Sequence, residues 1–228
     1  MPIARHVNFV SLSKACALPG CPICRIVAER TERYLDNLLF EHVSDRGFRA
    51  AHRASGGFCP EHSRGLASFR DGLAVAILGR DLLEDRIVAF KKRKPLKPKA
   101  RCPICVERER METEFLTFLA GVDDVSSSAP EGTASLSEDD AAAVELRTAF
   151  EASSGLCAPH YETLLAVAKR VPLWLREFHE RRFDELLRRT SVFIDLSAYG
   201  RQTEFAGLGE KDKTVWKELA DFLRGDSR

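Results

Sequence analysis

An all-α fold is predicted by three observations. Apolar residues recur at intervals of three and four along four long stretches, and alternation by two is almost absent. The chain also writes one pattern twice, CPIC and later CxxH, and each occurrence stands where a helix should begin.

The elements follow in order. After Cys21-Pro22-Ile23-Cys24 the apolar positions Ile26, Val27, Tyr34, Leu35, Leu38 and Leu39 outline a first long helix. A short helix is expected near 45–54. After Cys59 the series Leu66, Phe69, Leu73, Ile77, Leu83, Ile87 and Phe90 predicts a second long helix. After Cys102-Pro103-Ile104-Cys105, residues Met111, Phe115, Phe118, Leu119 and Val122 predict a third. A short helix is expected over 138–153, started by Ser137 with Asp140 three positions on. The fourth runs through Leu164, Leu165, Ala168, Val171, Leu175 and Phe178, with Pro172 expected to kink or end it. A last short helix is expected over 211–224. Pro22, Pro60 and Pro103 each follow a Cys directly, and proline is tolerated at the first helical position. Gly57 and Gly155 suit the stop of a preceding helix.

The repeated pattern carries the chemistry. Cys21, Cys24, Cys59 and His62 form one set, and Cys102, Cys105, Cys157 and His160 the other. Three thiols and one imidazole complete a tetrahedral shell for zinc, two ions per chain. The alternative cofactor is an iron–sulfur cluster held by the same residues. The halves match beyond the ligands, Ala54–Cys59 against Ala152–Cys157. The second half is longer between ligands: Cys59 lies 38 positions after Cys21, and Cys157 lies 55 after Cys102. The excess of 17 equals the segment 121–137, rich in Ser, Gly, Pro and acids, which reads as an inserted loop.

With each CPIC and each CxxH opening a helix, a metal would join helix N-termini, whose positive ends favour thiolate. A closed four-ligand set is structural, because a catalytic zinc typically keeps a position open. Glu61, inside CPEH, invites a general-base role, but its counterpart is Pro159, so it reads as a solvated first-turn glutamate. CPIC also has the spacing of a dithiol redox motif, yet no βαβ pattern accompanies it. No Walker A, HExxH or GxSxG motif occurs, and Gly207-Leu208-Gly209 lacks the rest of a dinucleotide fingerprint.

Composition narrows the remaining classes. Hydrophobic residues at 44% and charged residues at 30% suit a globular protein, and a net charge of +1 gives no global pull toward nucleic acid or anionic membrane. Seven cysteines are an odd number, which argues against a closed disulfide framework. The N-terminus lacks a signal-peptide core and no stretch can span a bilayer, so a cytoplasmic location without membrane contact is expected. Lys91, Lys92, Arg93, Lys94, Lys97, Lys99 and Arg101 form the one basic block. It reads as a solvated linker between the halves, or alternatively as a phosphate-backbone contact to nucleic acid. Cys16 reads as a buried small residue; His6, His42, His52 and His179 as surface or satisfied core; and Trp174, Trp216 and Phe222 as packing residues.

The arrangement resembles an uncharacterised bacterial family, a domain of unknown function, in its CPxC opening a long helix, its GFCPEH segment, its second CPxC and its closing LCxxH-like segment. The resemblance covers most of residues 20–195. It implies that Cys21, Cys24, Cys59, His62, Cys102, Cys105, Cys157 and His160 are metal ligands, and it brings no known activity. The expected organisation is a first zinc-binding half at 1–90, a basic linker at 91–101, a second zinc-binding half at 102–200 with the inserted loop, and a C-terminal helical segment at 201–228. The expected role is a non-enzymatic scaffold or interaction protein acting through protein partners. The alternatives are a redox-responsive zinc switch or nucleic-acid binding through the basic block.

Overall fold

The computed structural model describes residues 3, 6–68, 71–122 and 137–225. Phe69 and residues 123–136, which make up nearly all of the expected insertion, lie outside the described residues. The described residues form helices and turns and contain no strand, in agreement with the predicted class.

The helices are α1 (Val7–Cys16), α2 (Pro22–Asn37), α3 (Arg46–Ala54), α4 (Pro60–Ser68), α5 (Gly72–Lys91), α6 (Pro103–Ala120), α7 (Glu138–Glu151), α8 (Ala158–Val167), α9 (Leu173–Leu196), α10 (Gln202–Ala206), α11 (Glu210–Lys213) and α12 (Val215–Arg224). A π-helical turn, Leu38–His42, continues α2. The prolines open helices as expected, with Pro22, Pro60 and Pro103 the first residues of α2, α4 and α6. Ser137 caps α7 by accepting from the Asp140 backbone N–H at 3.1 Å.

Three expectations change. The long helix after Cys59 is two helices, because Asp71 accepts from the Ala74 N–H at 2.9 Å and starts α5 afresh. The helix expected through Pro172 is likewise two, since α8 stops at Val167 and Pro172 sits as the N-cap of α9. The third concerns α1, which no sequence signal had pointed to. His6 caps it, its Nδ1 accepting from the Asn8 N–H at 3.1 Å.

The chain forms two compact units, and they are not the sequence halves 1–90 and 102–200. One comprises Met1–Ile26 with Glu112–Arg228, the other Val27–Met111. The boundaries fall inside α2 and inside α6.

In the unit formed by the two chain ends, α1 packs on α7, and α9 carries α10, α11 and α12. Its core includes Leu12, Phe115, Leu119, Leu146, Phe150, Leu164 and Leu175. Phe150 meets Trp174 and Phe178 edge-on, with ring centroids 5.8 and 5.6 Å apart. In the middle unit, α3 and the π-helical turn pack on α5. Leu35, Leu38, Leu39, Leu66, Leu78 and Ile104 form its core. Arg49 grips Asp81 with two hydrogen bonds, 2.7 and 2.6 Å, and Arg53 grips Asp85 one turn on, so α3 and α5 are clamped twice. The basic segment is held rather than free: Lys99 and Ala100 donate backbone N–H groups to the Ala54 carbonyl that ends α3, at 2.7 and 3.2 Å.

Candidate metal centres

The eight residues singled out by the sequence gather into two groups of four, but not as the halves would have it. Cys21 and Cys24 meet Cys157 and His160; Cys102 and Cys105 meet Cys59 and His62. Each CPIC therefore shares its group with the CxxH of the other half. Helix length fits this exchange. From Pro22 through the π-helical turn to His42 the chain advances about 30 Å at 1.5 Å per residue. The nine-residue α3 covers less than half of that distance. Cys59 thus meets the ligands that open α6, not those that open α2.

In the first group the Nδ1 of His160 lies 3.5 Å from Cys21 Sγ, 3.3 Å from Cys24 Sγ and 3.1 Å from Cys157 Sγ, and Cys24 Sγ is 3.6 Å from Cys157 Sγ. In the second, His62 Nδ1 lies 3.1 Å from Cys59 Sγ, 3.6 Å from Cys102 Sγ and 3.5 Å from Cys105 Sγ, with Cys105 Sγ 3.7 Å from Cys59 Sγ. An ion bonded to thiolates at about 2.3 Å and to an imidazole at about 2.0 Å has tetrahedral edges of roughly 3.8 Å between sulfurs and 3.5 Å from sulfur to nitrogen. Both groups have edges of that order, and both turn Nδ1 toward the sulfurs. Each can hold one metal ion.

Helix starts prepare the thiols. Burial raises Cys59, but backbone N–H groups of His62 and Glu61 in the first turn of α4, together with Cys105 and Cys102, bring its pKa below the usual thiol value. Burial likewise raises Cys21, and hydrogen bonds from Cys157, Cys24 and His160 more than offset it. Its neighbour Cys24 is raised by its bonds to Cys157 and Cys21. Cys105 is pushed up to about 12 by burial and by its bond to Cys59. Burial alone would lower His160, whereas its bonds to Cys157, Cys21 and Glu112 lift it to about 11. Each group thus shares protons among thiols at very different ease, and a divalent ion bound there would take the place of those protons.

The surroundings of the two groups differ. Cys21, Cys24, Cys157 and His160 are all buried. His160 Nε2 faces Glu112 Oε1 at 3.7 Å, a carboxylate behind the ligand imidazole that can fix its orientation. Gly225, just after α12, closes over the sulfurs. A Cβ there would lie 3.4 Å from Cys157 Sγ and 3.5 Å from Cys24 Sγ, and its φ of 77° and ψ of 153° belong to glycine almost alone. In the other group His62 is buried, while Cys59, Cys102 and Cys105 are partly exposed. Glu61 beside it is exposed and pairs with Arg108 at 3.3 Å, as a solvated first-turn glutamate should.

His179 takes part without being a ligand. Its Nε2 accepts from the Leu156 N–H at 3.0 Å and its Nδ1 donates to the Leu175 carbonyl at 2.7 Å, which fixes the neutral tautomer and the backbone just before Cys157. The neighbouring Gly155 has φ 69°, and a Cβ on it would sit 2.8 Å from Phe178 Cε1. No spacing in the sequence ties His179 to the Cys/His groups; the expectation was surface or satisfied core, and it is a satisfied core histidine. His52, packed between Phe48 and Phe58, is buried as well. His6 caps α1 and His42 is exposed. Cys16 is buried apart from both groups, its thiol raised to about 12 chiefly by burial. Trp174 is a core residue donating to the Val122 carbonyl at 3.0 Å, and Phe222 packs on Phe183, but Trp216 is 53% exposed.

Comparison with known proteins adds one relative. The chain is 32% identical over 97 residues to a protein of Caldicellulosiruptor sp. (strain Rt8B.4) described as "Uncharacterized 23.9 kDa protein in xynA 3'region". The match covers 40% of this chain and 47% of that protein, so the chain spans about half the relative's length. The likeness fits a kinship with uncharacterised proteins and carries no activity with it. No protein-family model matches the chain, and no solved structure does.

Proposed function

We propose that this protein binds two zinc ions at closed, structural Cys3His sites and acts as a non-enzymatic helical scaffold for protein partners in a reducing compartment. The observation that carries the zinc reading is the completeness of each group: three sulfurs and one Nδ1, all within 4.8 Å of one another. Four protein ligands fill a tetrahedral shell and leave no position for a substrate or an activated water, which favours a structural over a catalytic ion. That span suits a single ion better than an iron–sulfur cluster, whose several irons hold their ligands further apart. Among the described residues, no helix is long and apolar enough to cross a membrane.

Elemental mass spectrometry of protein purified without added metal tests the reading. Two zinc per chain, no visible chromophore and a lower melting temperature after chelation are expected. Iron with sulfide, or no metal with freely titrating thiols, would contradict it.

A redox-responsive site is the second reading, favoured by the partial exposure of Cys59, Cys102 and Cys105. Two of these thiolates would give two electrons to a peroxide, forming one disulfide and releasing the ion, while the peroxide leaves as two waters after taking up two protons. Stoichiometric peroxide should then free one zinc before the other. Simultaneous loss of both, or no loss, would argue against it.

A further inference from the structure

Helix α5 buries one face and leaves the opposite face apolar as well. Ala74, Leu78 and Asp81 are buried, yet Leu73, Leu83, Ile87 and Phe90 are 74%, 57%, 43% and 66% exposed. A helix with a single buried face normally turns charge toward water. Here Leu73, Ala76, Arg80, Leu83, Ile87 and Phe90 instead recur at steps of three, four, three, four and three. That is the a/d spacing of a helix–helix seam, and its mean step of about 3.4, close to the 3.5 of a heptad, keeps the six positions on one stripe. The line is about 26 Å long at 1.5 Å per residue. Nothing in it depends on metal.

We propose that this stripe docks a second copy of the same chain, α5 against α5, antiparallel about a two-fold axis passing near residues 81 and 82. Charge decides the direction. A parallel pair would set Arg80 beside Arg80 and the run Lys91-Lys92-Arg93 beside its own duplicate, which is repulsive. In the antiparallel pair Leu73 lies opposite Phe90, Ala76 opposite Ile87, and Arg80 opposite Leu83 with Glu84 next in reach. Asp71, at the start of α5, falls opposite Lys92 at its end. A small residue meets a large one at Ala76 and Ile87, and each contact is made twice, as an isologous interface requires. Arg80 and Glu84 stand 3.8 Å apart on their own helix, Glu84 also faces Arg53 at 3.9 Å, and the side chains of Arg80 and Glu84 are 65% and 55% exposed, so a second chain can reach both.

Two and a half heptads would be too short for a free coiled coil. In this protein α5 is ordered beforehand by its Asp71 cap, its core face and the arginine clamps from α3, so association does not bear the cost of forming the helix. A seam of this length lies at the small end of specific interfaces, which implies a reversible dimer.

Sedimentation of the full, metal-loaded chain at concentrations from about 1 to about 100 µM tests the proposal, spanning the range where a small interface should dissociate. The expected mass rises from 25.5 kDa toward twice that value. Leu83→Glu/Ile87→Glu should stay monomeric while keeping the wild-type circular dichroism and metal content, since both positions are exposed. Arg80→Glu should weaken the dimer at least about tenfold. Arg80→Glu/Glu84→Arg should restore it, because the antiparallel pair brings position 80 to position 84 of the other copy. A monomer throughout the range would overturn the proposal. So would a dimer indifferent to Leu83→Glu/Ile87→Glu, or an Arg80→Glu defect that the second change does not repair.

Discussion

His179 is neutral for a reason that has a measurable consequence. Both ring nitrogens are engaged with backbone groups, and burial lowers its pKa from the ordinary 6.5 to about 4. As pH falls, the unfolded chain takes up this proton before the folded one does. The stabilisation is therefore complete above pH 6.5 and is lost progressively between 6.5 and 4. At about pH 5.5 the loss should be roughly 1 kcal/mol relative to neutral pH. Urea unfolding of the wild type and of His179→Gln between pH 7.5 and about 5.5 reads it as a difference in slope. Parallel pH profiles for the two proteins would contradict the assignment. The same residue marks a limit of sequence reading. The ligands announce themselves by spacing, whereas His179 lies 22 positions after Cys157, and only the folding of α9 beside that loop brings it to Leu156.

The C-terminal helices close over one of the two Cys/His groups. Arg189 on α9 is buried, and its guanidinium reaches Asp212 at 2.7 Å, Glu218 at 2.7 Å and the Lys211 carbonyl at 2.8 Å, fastening α11 and α12. Helix α12 also packs on α8, which begins next to Cys157, and ends at Gly225 over the sulfurs. The two ions should accordingly leave in two phases when challenged with a chromophoric chelator, that of Cys59, His62, Cys102 and Cys105 first. Arg189→Ala removes three contacts, leaves Glu218 to Arg182 alone, and should speed the slow phase at least about tenfold while leaving the fast phase alone. An unchanged slow phase would show that α12 is not a barrier. Most helices were legible because period and caps agreed: Ser137 with Asp140 marks α7, and the prolines after Cys mark α2, α4 and α6. The break before α5 was not, because apolar spacing continues across Asp71, where the cap bond to Ala74 starts a new helix. Helix α1 was missed because a histidine cap carries no strong signal in sequence.

The motif is written twice in the sequence, yet each CPIC clusters with the CxxH of the other copy. Each compact unit takes one CPIC and one CxxH from different halves of the sequence. The eight clustered residues could be read from the sequence; their partition could not be read from spacing. A CxxH that shared an ion with a CPIC at the far end of a helix of about 30 Å would need the chain to return that whole distance, and the nine-residue α3 covers less than half of it. The excess of 17 residues in the second half looked like an insertion that restored register between two self-contained sites, and that register concealed the exchange.

Two double variants decide the partition, with zinc counted by elemental mass spectrometry after dialysis against a chelator that leaves the wild type loaded. Cys24→Ala/Cys157→Ala removes two ligands from one group and should retain one zinc. Cys24→Ala/Cys59→Ala removes one from each and should retain none. The reverse outcome, none in the first and one in the second, would return the ligands to their own halves and contradict the crossed arrangement.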